Sequence, residues 1–375
     1  MSDTICWTHI GDLHLDEADD WAGLTRLKTA VDQINHAAEG IDFVFLPGDN
    51  ANHGTVEQYE RLIEALAPLE RPWRIIPGDH DFEPGDLGNY NAAIPAENRP
   101  EAETIAGFRC LFLDIISPGA GGPDFRVTMH HRNRLAEELS RAEAAGQVPL
   151  VFMHAYPGDL AADGDTIARA FADARVAFVD TGHTHYNELL NDGRVIYGAT
   201  RSTAQIEEDD GRPGFAIVCV HGRVPSWRFR RLDAPWPHVQ IVSPCDVRLV
   251  TRPADTHQVP RPGMVTIIAR VLGATGAAIL EARVDGTAPV PMTCGSDGLW
   301  RVEVRVDGAG IHGIEVTCGD GRDRIDILVR DAKNIPKRRL LAGAGTEAHS
   351  IGAWPIAGID GFQLGPNKNG GPPDA

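Results

Sequence analysis

Five short polar motifs in the N-terminal half of the sequence contain the side chains best suited to chemistry. In chain order they are Gly11-Asp12-Leu13-His14, Gly48-Asp49-Asn50, Gly78-Asp79-His80-Asp81, the single residue His154, and Gly182-His183-Thr184-His185. Carboxylate oxygens and imidazole nitrogens are ligands that divalent transition metals accept. If the fold brings these motifs together, three aspartates and four histidines would supply ligands for two such ions.

Each motif taken alone also fits an ordinary structural role. Asp49 and Asp79 follow glycine and suit turns or the N-cap of a helix. His154 fits a hydrogen-bonded, partly buried position at the end of a strand. All five motifs, however, follow apolar runs, and together this pattern indicates one shared site.

The apolar runs that precede the motifs alternate with amphipathic segments. The runs are Ile5–Ile10, Phe43–Leu46, Arg74–Ile76, Cys110–Leu113, Leu150–Met153 and Ala177–Val179. In the segment Trp21–Ala38, apolar residues recur every three or four positions, which is the period of a helix. Alternating strands and helices predict an α/β fold with helices on the faces of at least one sheet. Because the carboxyl ends of strands share one crevice, we expect the motifs to meet there.

The pattern changes after His185 from strand–helix units to hairpins. Leu189–Leu190 and Val195–Tyr197 flank the residues Asn191-Asp192-Gly193, which are typical of a tight turn. Phe215–Val220 and Val224–Phe229 flank a second short turn in the same way. These four runs predict two antiparallel strand pairs at the end of the α/β region.

The chain divides into three predicted regions. Residues 1–235 form the α/β domain, and a proline-rich joint at 233–238 ends it. Residues 241–331 contain short β-like runs separated by turn signals, which predict a small all-β sandwich of immunoglobulin-like type. Residues 332–375 are rich in glycine and proline and are predicted to be an irregular tail. The apolar residues of this tail favour packing against the body of the protein.

Composition limits the classes of partner. The chain has 375 residues, 42% of them hydrophobic, and 35 basic against 53 acidic residues give a formal net charge of −18. This charge argues against a nucleic acid polymer or an anionic membrane as partner. The sequence shows neither a signal peptide nor an apolar run of about 20 residues, so we expect a soluble, cytoplasmic protein. Six scattered cysteines without a Cys-x-x-Cys pair are expected to be reduced thiols.

The order of the five motifs resembles the signature of the calcineurin-like metallophosphoesterases, which is Asp-x-His, Gly-Asp, Gly-Asn-His-Asp, His, Gly-His-x-His. The resemblance covers residues 1 to about 230 and is closest in motif style to the bacterial cyclic-nucleotide phosphodiesterase-like branch. It implies a two-sheet αββα sandwich with a dinuclear metal centre at one edge. The two ions would be divalent or trivalent transition metals: manganese, iron or zinc.

The same resemblance implies a role for each motif residue. Asp12, His14 and His185 would hold one ion, and His154 and His183 would hold the other. Asp49 would bridge the two ions, and position 79 would complete the second site. The family usually has asparagine there, whereas this chain has Asp79. The additional negative charge is expected to strengthen metal retention and to weaken Lewis acidity.

Two metal ions at one site predict hydrolysis of a phosphoester. They would lower the pKa of a shared water, and the resulting hydroxide would attack the phosphorus in line. By resemblance, His80 would protonate the leaving oxygen or stabilise the transition state. Asp81 could orient the His80 imidazole, or it could serve as a turn residue or N-cap. Further residues near the ligand segments could line the substrate pocket: Asn50, Tyr156, Asn187 and Arg201.

The leading hypothesis is therefore a metal-dependent phosphoesterase that hydrolyses a small phosphodiester, with a cyclic nucleotide as one candidate. One alternative is a phosphomonoesterase acting on a small phosphorylated metabolite, because pocket walls decide between the two reactions. Another is a metal-binding pseudoenzyme that acts through its β-domain. The β-domain and the tail could also form a wall of the pocket or the contact of a homo-oligomer.

Overall fold

The strands and helices of the chain follow the alternation of apolar and polar residues. The computed structural model describes residues 3–119, 123–206, 211–274, 278–331 and 349–350. The N-terminal strands are β1 (Thr4–His9), β2 (Phe43–Leu46), β3 (Trp73–Ile75), β4 (Ala102–Ile105), β5 (Phe108–Leu113), β6 (Ile116–Pro118), β7 (Pro123–Phe125), β8 (Pro149–Met153), β9 (Phe178–Thr181), β10 (Glu188–Asn191), β11 (Ile196–Ala199), β12 (Gly214–His221) and β13 (Val224–Arg231). The C-terminal strands are β14 (His238–Ser243), β15 (Gly263–Leu272), β16 (Glu281–Val284), β17 (Val290–Pro291), β18 (Thr293–Cys294), β19 (Trp300–Val306), β20 (Gly310–Cys318), β21 (Gly321–Val329) and β22 (His349–Ser350). The α-helices are α1 (Ala22–His36), α2 (Val56–Leu66), α3 (Gly88–Ala93), α4 (Met129–Ala144) and α5 (Gly164–Asp173).

Two mixed sheets form the N-terminal domain. The first has the strand order β13-β12-β1-β2-β3, and the second has the order β22-β10-β11-β9-β8-β5-β4. Strand β1 runs parallel to β2 and antiparallel to β12. Strand β8 runs parallel to both β5 and β9. The parallel strands β1, β2 and β3 of one sheet and β8 and β9 of the other precede the five polar motifs.

The two sheets pack face to face through aromatic side chains. Trp7 of β1 contacts Phe43 beside it and Phe152 and Phe178 from the second sheet, with ring centroids 5.4–5.9 Å apart. Because side chains alternate along a strand, the opposite face of each sheet is apolar as well and packs on helices. Helices α1 and α2 cover the first sheet, and α4 and α5 cover the second. The predicted αββα sandwich is therefore confirmed.

A polar link also joins the sheets inside this core. The carboxylate of Asp180 on β9 accepts a hydrogen bond of 2.6 Å from the Trp7 indole, and one of its oxygens lies 2.7 Å from Nδ1 of His9. All three side chains are buried. Trp7 and His9 point to the same side of β1, so the link sets the register of β1 against β9 just before both strands reach their polar motifs.

The C-terminal strands form a separate all-β unit. One sheet has the order β14-β15-β19-β18, and the other has the order β17-β16-β20-β21, with antiparallel pairing throughout. Alternate residues such as Ile267, Ile314 and Ile327 are buried between the sheets. This small β-sandwich agrees with the predicted fold class.

The β-sandwich packs on the outer strand β13 through a buried ion pair. The guanidinium of Arg228 on β13 donates to both oxygens of Asp323 on β21, at 2.8 and 3.2 Å. Asp323 also accepts a hydrogen bond from the backbone amide of Ile241 at 2.7 Å. Nearby, the indole of Trp236 donates to Gln33 of α1 at 2.9 Å. These contacts tie the two units together at the proline-rich joint.

Some features differ from the sequence-based expectations. Cys6 and Cys219 lie opposite each other on β1 and β12 and are joined by a disulfide, so the expectation of reduced thiols is wrong for this pair. The hairpin of β6 and β7 was not predicted, because its strands are only three residues long. Among the described helices, none is long and apolar enough to cross a membrane. The tail at 332–375 lies outside the described residues, except that β22 pairs with Leu190 and Asn191 of β10.

Candidate metal centre

The polar motifs occupy the loops that follow the parallel strands of both sheets. Asp12 and His14 follow β1, Asp49 follows β2 and Asp79 follows β3, all in the first sheet. In the second sheet, His154 comes directly after β8, and His183 and His185 follow β9. The seven side chains therefore converge from two sheets on one edge of the sandwich.

Glycines in these loops leave room for the polar side chains. A Cβ atom at Gly78 would overlap the Asp49 carboxylate, and one at Gly182 would overlap the Asp12 carboxylate. Gly48 is needed for two reasons. Its φ is +116°, which favours glycine, and a Cβ atom there would overlap His154. Several ligand candidates also have positive φ values: His14, Asp49, His183 and His185. Backbone strain of this kind is concentrated at functional sites.

Four side chains form the first donor group, which consists of Asp49, Asp79, His154 and His183. The Oδ1 atom of Asp79 lies 3.2 Å from Nε2 of His154 and 3.5 Å from Nδ1 of His183. Ligands about 2.1 Å from one ion at right angles are about 3.0 Å from each other. The spacing of this group is close to what one shared ion requires.

The second donor group contains His14, His185 and again Asp49. The Nε2 atoms of His14 and His185 are 2.9 Å apart. At this distance, the two Nε2 atoms either share one proton or bind one metal ion between them. The Oδ2 atom of Asp49 is 3.6 Å from Nε2 of His14 and 3.5 Å from Nε2 of His154. One oxygen of Asp49 thus faces both donor groups.

Asp12 lies beside these groups but outside both of them. Its side chain is buried, and its Oδ1 accepts a 3.3 Å hydrogen bond from the backbone amide of His183. Its Oδ2 is a buried oxygen without a hydrogen-bond partner among the described residues. An orphaned carboxylate oxygen is costly in a protein interior unless a cation is bound to it.

His154 and His14 are held by Nδ1 contacts to neighbouring oxygens. Nδ1 of His154 lies 2.8 Å from the carbonyl oxygen of Pro47, which accepts only if Nδ1 carries the proton. Nδ1 of His14 lies 3.1 Å from Oδ1 of Asn52. Both contacts favour the tautomer whose Nε2 lone pair is free to bind a metal. The donor set therefore fits two transition-metal ions.

The charges in the centre shift the pKa values of its members. Burial would raise the pKa of Asp49, but His154 and His14 lower it to about 2. Burial acts in the same direction on Asp79, yet hydrogen bonds from His154 and His183 lower its pKa as well. Burial opposes the charged form of His154, whereas Asp49 and Asp79 raise its pKa. Without metal, a proton on His154 thus compensates the negative charge of Asp49 and Asp79.

His80 lies at the rim of the centre with about a third of its side chain exposed, 31%. Its backbone amide donates to Oδ1 of Asp49 at 2.9 Å, and its ring packs edge to face on His14 with centroids 4.6 Å apart. Its Nδ1 lies 2.8 Å from the carbonyl oxygen of Asn52. The other ring nitrogen, Nε2, makes no hydrogen bond to a described residue.

The orienting role predicted for Asp81 is wrong. Asp81 is buried and accepts hydrogen bonds from Tyr59, Gly78, Ala51 and twice from Asn50, at 2.8–3.3 Å. His80 and Asp81 are successive residues of one 3-10 turn, so their side chains point in different directions. Asp81 holds the loops after β2 and β3 together, and the Asn52 carbonyl orients His80.

The expectation that four further residues line the substrate pocket is also corrected. Asn50, Tyr156, Asn187 and Arg201 are all no more than 1% exposed. The amide of Asn50 donates to Ile76 and Asp81, and the hydroxyl of Tyr156 donates to Glu188. Asn187 accepts from the backbone amide of Arg201 at 2.9 Å. These residues support the ligand loops from behind.

Asn52 is a site residue that the sequence analysis missed. Its side chain contacts His14 and its carbonyl contacts His80, and its amide nitrogen donates to Asp16 at 2.7 Å. The loop that holds it ends in a capping box between Thr55 and Gln58 at the start of α2. This Thr-x-x-Gln pattern was a readable signal that the loop is fixed.

Comparisons with known proteins agree with this geometry. A family model described as calcineurin-like phosphoesterase matches residues 8–187. The 3′,5′-cyclic adenosine monophosphate phosphodiesterase CpdA of Vibrio vulnificus is 25% identical over 244 residues, which are 60% of this chain and 84% of that protein. A probable cyclic nucleotide phosphodiesterase of Rhodopseudomonas palustris is 29% identical over 154 residues, 40% of this chain and 55% of that one.

Among solved structures, a dimetal phosphatase from Danio rerio aligns with a TM-score of 0.45 and 14% identity, over 61% of this chain and 96% of that one. The family match spans all five motifs, from the end of β1 to the residues just after His185. Residues 8–187, which hold all five motifs, thus match the calcineurin-like phosphoesterase family.

Proposed function

We propose that the N-terminal domain is a metal-dependent phosphodiesterase that hydrolyses a small phosphodiester, with a cyclic nucleotide as the leading candidate. The observation that carries this proposal is the shared oxygen of Asp49. Oδ2 of Asp49 faces His14 and His154 at nearly equal distances of 3.6 and 3.5 Å. A carboxylate between two donor groups is the arrangement that a two-metal hydrolytic site needs.

In this proposal, seven residues hold two ions. The first donor group, Asp49, Asp79, His154 and His183, would hold one ion, and His14, His185 and Asp49 would hold the other. Asp12 would add its buried Oδ2 beside His14 and His185. Bound ions of this type supply Lewis acidity toward phosphoryl oxygens and activate water near neutral pH.

The chain itself supplies the leaving-group chemistry. His80 is at the rim, partly exposed, and its Nδ1–H is committed to the carbonyl of Asn52 at 2.8 Å. Without metal, burial lowers the pKa of His80, but Asp49, the Asn52 carbonyl and Asp79 outweigh burial and raise it overall. A protonated His80 is suited to donate from Nε2 to the oxygen that leaves phosphorus.

The three carboxylates bear on the identity of the metals. Asp12, Asp49 and Asp79 together reduce the charge of two divalent ions to a single positive charge, because the imidazoles are neutral as ligands. With asparagine at position 79, the ions and their ligands would carry one more unit of positive charge. A lower charge attracts the phosphoryl group less and retains the ions more strongly. Manganese, iron and zinc all accept this donor set, and a trivalent iron in one position would restore the charge.

Two further points support a small diester as substrate. The curated relatives are a cyclic adenosine monophosphate phosphodiesterase and a probable cyclic nucleotide phosphodiesterase. In addition, Asp16 and Glu83 lie at the rim around His53. Carboxylates there oppose a dianionic monoester or a nucleic acid polymer more than they oppose a monoanionic diester. A small soluble substrate also fits the expected cytoplasmic location. Formation of a homo-oligomer through the β-sandwich or the tail stays a prediction.

Metal analysis and hydrolysis together test the proposal. The purified full-length chain, loaded with Mn²⁺, Zn²⁺ or iron, is assayed with bis(p-nitrophenyl) phosphate, p-nitrophenyl phosphate and 3′,5′-cyclic AMP. The proposal predicts two metal equivalents and faster cleavage of the diesters. Faster cleavage of the monoester would favour the phosphomonoesterase. Two bound metals without hydrolysis of any of these esters would favour the pseudoenzyme.

A further inference from the structure

Phe125 is an aromatic side chain at the edge of the metal centre that no part of the proposed chemistry uses. It is the last residue of β7, in the short hairpin that β7 forms with β6. The backbone of this hairpin is fixed on both sides. The amide of Ala161 donates to the carbonyl of Phe125 at 2.8 Å, and the amide of Arg126 donates to the carbonyl of Ile115 at 2.7 Å.

The ring of Phe125 contacts two histidines of the first donor group. Its centroid is 4.7 Å from that of His183, with an angle of 77° between the planes, and 5.8 Å from that of His154. The Phe125 side chain remains partly exposed, as does that of His183. Phe125 therefore presents apolar aromatic surface directly beside the first donor group.

The rim beside the second donor group is polar and acidic by contrast. His53 is hydrogen-bonded to Glu83 at 2.6 Å and lies 3.7 Å from Asp16. Both His53 and Glu83 are exposed by more than a third, 48% and 39%. An ester group that extends over this rim meets negative charge, whereas one that extends over Phe125 meets an apolar ring. The two rims thus differ in the chemical groups that they favour.

We propose that Phe125 is a specificity-determining residue that receives a planar, uncharged aromatic group attached to the phosphate of the substrate. A nucleobase-sized ring would lose its water against Phe125 while the phosphate binds at the centre. Contact with an aromatic side chain commonly strengthens the binding of a base by at least about fivefold. This inference rests on the proposed function, since it concerns the same site, but it is measured by binding.

Direct calorimetry on the manganese-loaded chain separates the base from the rest of the ligand. Adenosine 5′-monophosphate and ribose 5-phosphate differ only in the base, and inorganic phosphate reports on the centre alone. In the wild type, we expect the nucleotide to bind at least about fivefold more tightly than the sugar phosphate. In Phe125→Ala this ratio should fall to about one, with phosphate affinity and metal content unchanged. Phe125→Leu keeps the bulk against His183 and should lose most of the ratio as well.

Met129→Ala, a change of an exposed apolar residue four positions away, is the control and should keep the wild-type ratio. A wild-type ratio near one, or an unchanged ratio in both Phe125 variants, would overturn the inference. So would a loss of metal affinity with no change in the ratio, because Phe125 would then only support His183. The proposed function fails by a different result, namely that the loaded wild type hydrolyses no phosphoester.

Discussion

The side-chain oxygen of Asn52 lies 3.1 Å from Nδ1 of His14, and this contact fixes the imidazole of a proposed metal ligand. The same residue accepts from Nδ1 of His80 through its backbone carbonyl. One loop residue therefore sets the direction of both a proposed ligand and the proposed proton donor.

Replacing Asn52 with alanine should weaken metal binding at the second donor group. Loss of such an outer partner commonly costs about 10- to 100-fold in metal affinity. Asn52→Asp keeps an acceptor for His14 but loses the donor to Asp16, so it should recover only part of the affinity. Chelator competition measures both dissociation constants, and equal values in wild type and Asn52→Ala would contradict the orienting role.

Replacing Asp49 with alanine should remove metal from both sites, because one oxygen faces both donor groups. Elemental analysis after gel filtration measures this directly. Asp173→Ala, a change of an aspartate whose side chain is 73% exposed, is the matched control and should keep the wild-type metal content. Two tightly bound equivalents in Asp49→Ala would show that the bridging assignment is wrong.

Asp79→Asn should keep two metals but change which metals are preferred. The neutral amide keeps an oxygen that can bind metal beside His154 and His183. It also removes one negative charge from the centre. We expect weaker metal retention and altered turnover, both measured after loading with manganese, zinc and iron in parallel. An identical metal preference and rate in both proteins would argue that Asp79 is not a ligand.

His80→Ala should leave the metal content near wild type and lower kcat by about 10²- to 10⁴-fold, as expected for loss of a general acid. The loss should be smaller for esters with good leaving groups such as p-nitrophenolate, because their oxygens need little protonation. His130→Ala removes a surface histidine, 69% exposed, and is the control. Equal losses for good and poor leaving groups would indicate charge stabilisation by His80. An unchanged rate with both would exclude a catalytic role.

The ion pair between Arg228 and Asp323 should matter for the stability of the contact between the two units. Both side chains are almost fully buried, 3% and 1% exposed. Removal of one partner of a buried pair commonly costs about 3–5 kcal/mol in the free energy of unfolding. We expect Arg228→Met to show such a loss in chemical denaturation, while the double variant Arg228→Met/Asp323→Leu should recover part of it. With the single variant Asp323→Leu these proteins complete a double-mutant cycle, and a double loss equal to the sum of the two single losses would mean that the pair is not energetically coupled.

Short apolar runs that alternate with helical periodicity were sufficient to predict an α/β first domain, whereas the two-sheet αββα arrangement was implied by the resemblance of the motifs to a known family. Roles that depend on loop conformation were not predictable in the same way. Asp81 looked like the partner of His80 because the two are adjacent, but adjacent residues in a helical turn do not face each other. Asn52 and Phe125 reach the centre only through a capped loop and a three-residue strand, which carry weak local signals.

The pairing of strand β1 affects how the first domain folds during synthesis and where an expression fragment of it can end. It pairs on one side with β2, close behind it in the chain, and on the other with β12, where Cys6 meets Cys219 at a separation of 213 residues. During synthesis on the ribosome, one edge of β1 therefore stays unpaired until β12 has emerged. A fragment ended at residue 187, where the family match ends, would keep all seven proposed ligands and leave this central strand half paired. An expression fragment of the first domain should therefore extend at least through Arg231, the end of β13.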